Sequence, residues 1–82
     1  MSYYVYILRS LKDGGYYVGS TSEVGKRLDY HNSGRQRSTK RRIPFTMVYI
    51  EVHSDRSSAE RRERQIKSYK GGEAFRRLIE GV

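Results

Sequence analysis

Two tyrosine-rich runs set one turn apart constrain this chain more than any other feature. Tyr3 to Arg9 and Tyr16 to Ser20 are short and rich in Tyr, Val and Ile, the residues that suit a pleated strand. Asp13-Gly14-Gly15 lies between them and supplies the turn, so the first quarter of the chain is expected to be an antiparallel hairpin. Side chains alternate along a strand. Val5, Ile7 and Val18 then share one face, and Tyr6 and Tyr17 the other. Gly19, beside Tyr17, leaves room for the close approach of a ligand backbone. A cross-strand aromatic pair that only stabilises the sheet is the plainer reading of the two tyrosines.

The rest of the chain completes a small α/β (α+β) layer protein. Thr21 or Ser22 is positioned to cap a helix running to about Asn32, with Gly34 as its stop. Gly25 inside that helix costs about 1 kcal/mol relative to alanine. Residues 34–45 read as a long basic loop, and Thr46 to His53 as a third strand. Ser57 followed by Glu60 is a capping-box pattern opening a long helix that Gly71-Gly72 ends. Glu73 to Glu80 is a last short helix with Ala74, Phe75, Leu78 and Ile79 on one side. The order is ββαβαα, on a small, mainly antiparallel sheet. At 82 residues the chain is expected to form one domain over 1–82, too short for a doubly wound fold.

Charge narrows the partner. Seventeen Lys+Arg against nine Asp+Glu give +8. No acid occurs between Asp29 and Glu51, while Arg35, Arg37, Lys40, Arg41 and Arg42 crowd that interval. Arginine outnumbers lysine, and its planar fork suits phosphate. A polyanion, most simply nucleic acid, is the expected partner; a solubilising surface and an anionic membrane are the competing readings. With no cysteine, neither a disulfide nor a thiolate metal site is available, which fits a reducing cytoplasm. No signal peptide is expected, and no apolar stretch approaches the ~20 residues of a membrane span. A cytoplasmic location, at the nucleoid among other places, is expected.

Three polar groups fall where chemistry can use them. Arg27 and His31 are four residues apart on one helical face. Glu63 falls on the apolar stripe of Ala59, Ile66 and Tyr69, where a carboxylate needs a partner or a metal. An ion pair with Lys67 four residues on is the plain alternative. His53, at a strand end with no evident partner, reads as surface. No phosphate-cradling glycine loop, zinc ligand set or Ser/His/Asp ordering is present.

Together these residues carry a pattern. Tyr4-Val5-Tyr6 and Tyr17-Val18-Gly19, KRLDYHNSG (26–34) and SSAERRERQIK (57–67) follow one another at the spacing of the GIY-YIG nuclease domain. The sequence resembles that domain over nearly its whole length, in particular its small stand-alone bacterial branch. Tyr4 departs from the glycine of the motif, and valine replaces the middle isoleucine of each triplet; neither change is expected to remove activity. The resemblance implies a three-stranded antiparallel sheet flanked by helices and a divalent-metal-dependent endonuclease. Tyr6 and Tyr17 would be the active-site tyrosines, Arg27 the essential arginine, His31 an active-site histidine and Glu63 the ligand of Mg²⁺ or Mn²⁺.

These residue types suit phosphodiester cleavage. One carboxylate suffices for Mg²⁺ when water and substrate phosphate complete its shell. An arginine stabilises charge developing on nonbridging oxygens. A phenol titrates near ~10, so Tyr17 either has its pKa lowered or only orients water while His31 takes the proton. The residue types leave that choice open. The expected partner is DNA, with RNA also open and no membrane or obligate protein partner; the protein would be a monomer or weak dimer. Structure-selective cleavage in DNA repair, recombination or processing is the expected activity. A non-catalytic nucleic-acid-binding module on the same fold is the alternative, and a structural protein of incidental charge a third reading.

Overall fold

The computed structural model describes residues 2–81. Its elements are β1 (Tyr3–Ser10), β2 (Tyr16–Thr21), α1 (Val24–Asn32), a 3-10 turn (Lys40–Arg42), β3 (Phe45–His53), α2 (Arg56–Ser68) and α3 (Glu73–Glu80). The expected ββαβαα order holds. The sheet is antiparallel in the order β2-β1-β3, so the hairpin's second strand is an edge.

Both faces of the sheet are covered. Val5, Ile7 and Val18 pack with Ala59 and Ile66 of α2 and Phe75 of α3. Tyr6, Leu8 and Phe45 form a second cluster with Leu28 of α1, Ile43 and Met47. The face that Tyr6 and Tyr17 share is thus covered as well: with this few apolar residues, helices on both sides are what bury the central strand. From Val5 to Leu8 every β1 residue is at most 2% exposed. A register shift between Ile7 and Leu8 makes this work on β3: Ile7 faces Tyr49 but Leu8 faces Met47. Val48 is the extra residue. It packs with Tyr49 on the α2 side, and the alternation then reverses, so that Met47 and Phe45 reach the α1 side.

Local details differ from expectation where side chains found other partners. Thr21 accepts a hydrogen bond from the Glu23 amide (3.1 Å) and turns the chain into α1, whose capping residue Glu23 makes no side-chain cap. Asp55, not Ser57, caps α2, accepting from the Ser58 amide at 2.7 Å; Glu60 pairs with Arg56 instead of closing a capping box. His53 is no bystander. Its Nε2 donates to Glu51 Oε1 at 2.8 Å, where Arg62 Nε of α2 also donates at 2.9 Å, and the Tyr49 hydroxyl donates to the other oxygen at 2.5 Å. This cluster ties β3 to α2. Asn32 closes the basic loop: its side chain accepts from the Phe45 amide (2.7 Å) and donates to the Phe45 carbonyl (3.1 Å), as a strand residue would.

Candidate active site

The tyrosines of the two triplets do share a face, with ring centroids 6.5 Å apart, but Tyr6 is interior. It pairs with Gly19 across the strands, and its ring lies over that glycine. A Cβ on Gly19 would sit 2.5 Å from the Tyr6 hydroxyl and 2.7 Å from Cζ. The room beside Gly19 is thus filled by Tyr6, not left for a ligand. The Tyr6 hydroxyl meets His31 Nε2 at 3.2 Å, and His31 Nδ1 meets Thr39 Oγ1 at 3.1 Å. Thr39 donates its own proton to the Gln36 carbonyl (3.4 Å), which makes Thr39 the acceptor from Nδ1–H. His31 Nε2 is then the acceptor for the Tyr6 proton, and the imidazole is neutral. Burial, then the Arg27 charge, lowers the His31 pKa. Burial, then Tyr17, pushes the Tyr6 phenol well above its ordinary 10.0, against the opposing pull of Arg27. Tyr6 and His31 thus form an interior neutral pair, 2% and 1% exposed.

Tyr17 is the tyrosine that reaches the surface. Half-buried at the β2 edge, its ring stands 4.7 Å from that of His31. Arg27 is exposed on the first turns of α1, its guanidinium 5.6 Å from the Tyr30 ring centroid, and it takes part in none of the ion pairs among the described residues. It lines a polar cavity of about 260 Å³ together with Ser20, Thr21, Arg56 and Glu60.

Glu63 arrives at the same strand end from α2. Ser20, on the α2 side of β2, donates to Glu63 Oε1 at 2.6 Å across 43 residues of sequence. Lys67 Nζ holds Oε2, also at 2.6 Å. The carboxylate is one-fifth exposed, and both expectations for it hold at once: it lies inward and it pairs with Lys67. No group of three or more His, Cys, Asp or Glu able to hold a metal occurs among the described residues. A hard cation that draws most of its shell from water and phosphate fits this donor set, because each Glu63 oxygen keeps a second lone pair. A site built from several protein ligands does not.

The basic loop divides. Arg35, Arg37, Lys40 and Arg41 are exposed. Arg42 is engaged in the fold: Nε donates to Asp13 at 2.9 Å, Nη2 to the Tyr16 carbonyl at 3.4 Å, and the guanidinium lies 5.6 Å from the Phe45 ring centroid. The loop therefore meets β2 at Tyr16, whereas Arg27 and Glu63 gather at Ser20–Thr21, about 13–17 Å along the strand. Ser20, Asn32 and Thr39 were missed by sequence reasoning. Nothing in a serine, an asparagine or a threonine announces a partner 43, 13 or 8 residues away.

An interior tyrosine–histidine pair, an exposed arginine and a carboxylate meeting at one end of an edge strand define a site suited to a phosphate group. The chain belongs to the GIY-YIG family, a nuclease superfamily: the GIY-YIG catalytic domain matches residues 2–73. It is 43% identical over 68 residues to the UPF0213 protein SH2523 of Staphylococcus haemolyticus, covering 82% of each chain. It is 35% identical over 80 residues to the UPF0213 protein SSP2268 of Staphylococcus saprophyticus, covering 96% of each. Among solved structures it is similar to the UPF0213 protein BH0048 of Bacillus halodurans, studied in solution by NMR, at 35% identity over 90% of each chain and a TM-score of 0.49. None of the helices among the described residues is long and apolar enough to cross a membrane.

Proposed function

We propose that this protein is a divalent-metal-dependent DNA endonuclease acting on nicked, branched or single-stranded DNA in repair, recombination or processing. The observation that carries this reading is the Ser20–Glu63 hydrogen bond (2.6 Å), which draws the acid of α2 to the strand end whose cavity Arg27 lines. Glu63 is the residue that would hold Mg²⁺ or Mn²⁺, and that ion supplies charge neutralisation at the phosphate and acidification of a coordinated water.

The chain's own residues divide the remaining work. Arg27 binds the nonbridging oxygens and stabilises the charge they gain in the transition state. Tyr17, the surface-reaching phenol, orients the attacking water. His31, interior and engaged by Tyr6, holds Tyr6 and the wall behind Tyr17 in place. Water adds to phosphorus and gives up a proton to solvent, the P–O ester bond breaks, and the leaving oxygen takes a proton from solvent. Arg35, Arg37, Lys40 and Arg41 bind flanking phosphates without reading bases, and the +8 charge favours that contact.

The test is cleavage of supercoiled plasmid and a panel of branched DNAs, with Mg²⁺ or Mn²⁺, by wild type, Glu63→Gln and Arg27→Ala. DNA affinity is measured on the same preparations. Cleavage lost in both variants with binding retained supports the assignment; cleavage surviving both removes it. One observation favours a second reading, a binding module without catalysis: Lys67 already neutralises Glu63. Salt-sensitive binding with no cleavage under any condition selects that reading.

A further inference from the structure

A second cleft lies toward the opposite end of β2 from Arg27, and the chemistry above leaves it unused. Its volume is about 420 Å³. Val18, Ile66 and Phe75 form an apolar floor, each at most 8% exposed. Tyr16 walls it, 40% exposed and standing edge-on to Phe75 at 5.0 Å; Tyr17 borders it from the strand, its ring turned to the other face of the sheet. Lys67 and Lys70 line the mouth, and no acid lines the cleft. Lys70 adopts a left-handed backbone (φ 51°), as does Gly71 after it (φ 74°), and this turn folds the end of α2 around the mouth.

The cleft is continuous with the proposed site. Tyr17 lines it while its ring packs on His31 at 4.7 Å. Lys67 lines it while its Nζ holds Glu63 at 2.6 Å. A flat apolar body entering here meets the Tyr16 ring, and an anion attached to that body meets an ammonium on the Glu63 side.

We infer that this cleft receives the base of one unpaired nucleotide, stacked against Tyr16, with Lys67 and Lys70 on the adjoining phosphates. The inference rests on the nuclease reading for the direction of the bound strand. It names the substrate class: single-stranded or splayed-out DNA, because a base held in a duplex stack cannot enter a cleft of this kind without leaving the stack. Aromatic faces accept any base, so sequence preference is weak. An apolar small molecule or a second protein copy would have no use for two lysines and no acid at the mouth.

The test is fluorescence anisotropy with a labelled DNA of about 12 nucleotides, single-stranded and as the matching duplex, in chelator so that nothing is cut. Tyr16→Ala is expected to weaken single-strand binding about 5- to 100-fold and duplex binding less than about twofold. Lys70→Gln is expected to lower the salt dependence of single-strand binding by about one counterion. A single strand of abasic nucleotides is expected to bind wild type as weakly as ordinary single strand binds Tyr16→Ala. That comparison on wild type decides the matter if Tyr16→Ala fails to fold. Equal loss for single strand and duplex, no loss, or abasic DNA binding as well as ordinary DNA overturns the inference. The two readings fail separately. Glu63-dependent plasmid cleavage with no single-strand preference removes the cleft's role alone. Single-strand binding through Tyr16 with no cleavage removes the nuclease alone.

Discussion

Tyr6 shows how much one residue carries in a thin core. Its ring occupies the space a side chain on Gly19 would need, and its hydroxyl satisfies His31. Gly19→Ala is expected to destabilise the protein by about 1–3 kcal/mol, since the Tyr6 ring has no solvent to retreat into. Tyr6→Phe leaves His31 Nε2 buried without a partner, at about 1–3 kcal/mol. Urea unfolding monitored by circular dichroism checks both. His31 adds a pH dependence. Burial, then Arg27, holds its pKa below the ordinary 6.5, so between the two values the unfolded chain binds the proton and the folded protein does not. The stability it contributes is complete above 6.5 and is lost as pH falls through the folded value. Wild type is expected to lose urea resistance as pH falls below 6.5, and His31→Phe to show a flatter profile there.

At the scale of elements, α2 is the piece on which the site depends. Ala59 and Ile66 anchor it to the sheet, Glu51 and Arg62 tie it to β3, and Glu63 and Ser20 tie it to β2. Ile66→Ala is expected to cost about 2–5 kcal/mol by thermal or urea unfolding, because it removes a fully buried side chain from the core between α2 and the sheet. Burial pushes the Glu51 carboxyl up, but hydrogen bonds from Tyr49, His53 and Arg62 outweigh it and hold the pKa below the ordinary 4.5. Its contribution is therefore present above 4.5 and lost as pH falls through the folded value, a second acid step distinct from that of His31. Glu51→Gln is expected to remove the second step and leave the first.

For the whole molecule, charge placement decides what the surface can do. Arg35, Arg37, Lys40 and Arg41 hang on a loop closed by Asn32 and Thr39, while Arg42 of the same run is consumed by Asp13 and Tyr16. Replacing the four exposed residues by glutamine is expected to flatten the salt dependence of DNA binding by up to about three to four counterions with little change in stability. Arg42→Gln is expected to do the reverse, lowering the unfolding midpoint while leaving the salt slope nearly intact. Binding titrations across a range of salt, beside melting curves, separate the two.

Local patterns in the chain determined the elements, their order and the family, because β-prone runs, a glycine turn and helical periodicity act over a few residues. The spacing of the two triplets, Arg27 and Glu63 was legible for the same reason. Which tyrosine is interior was not. Alternation says that Tyr6 and Tyr17 share a face, but only α1, Phe45 and the bulge at Val48 decide that this face is covered, and only the edge position of β2 leaves Tyr17 at the surface. The Glu63 partner on β2, the neutral state of His31 and the split of the basic run likewise belong to the tertiary structure. Each is set by burial and by contacts between residues far apart in sequence, and burial is a property of the packed chain, not of any stretch of it.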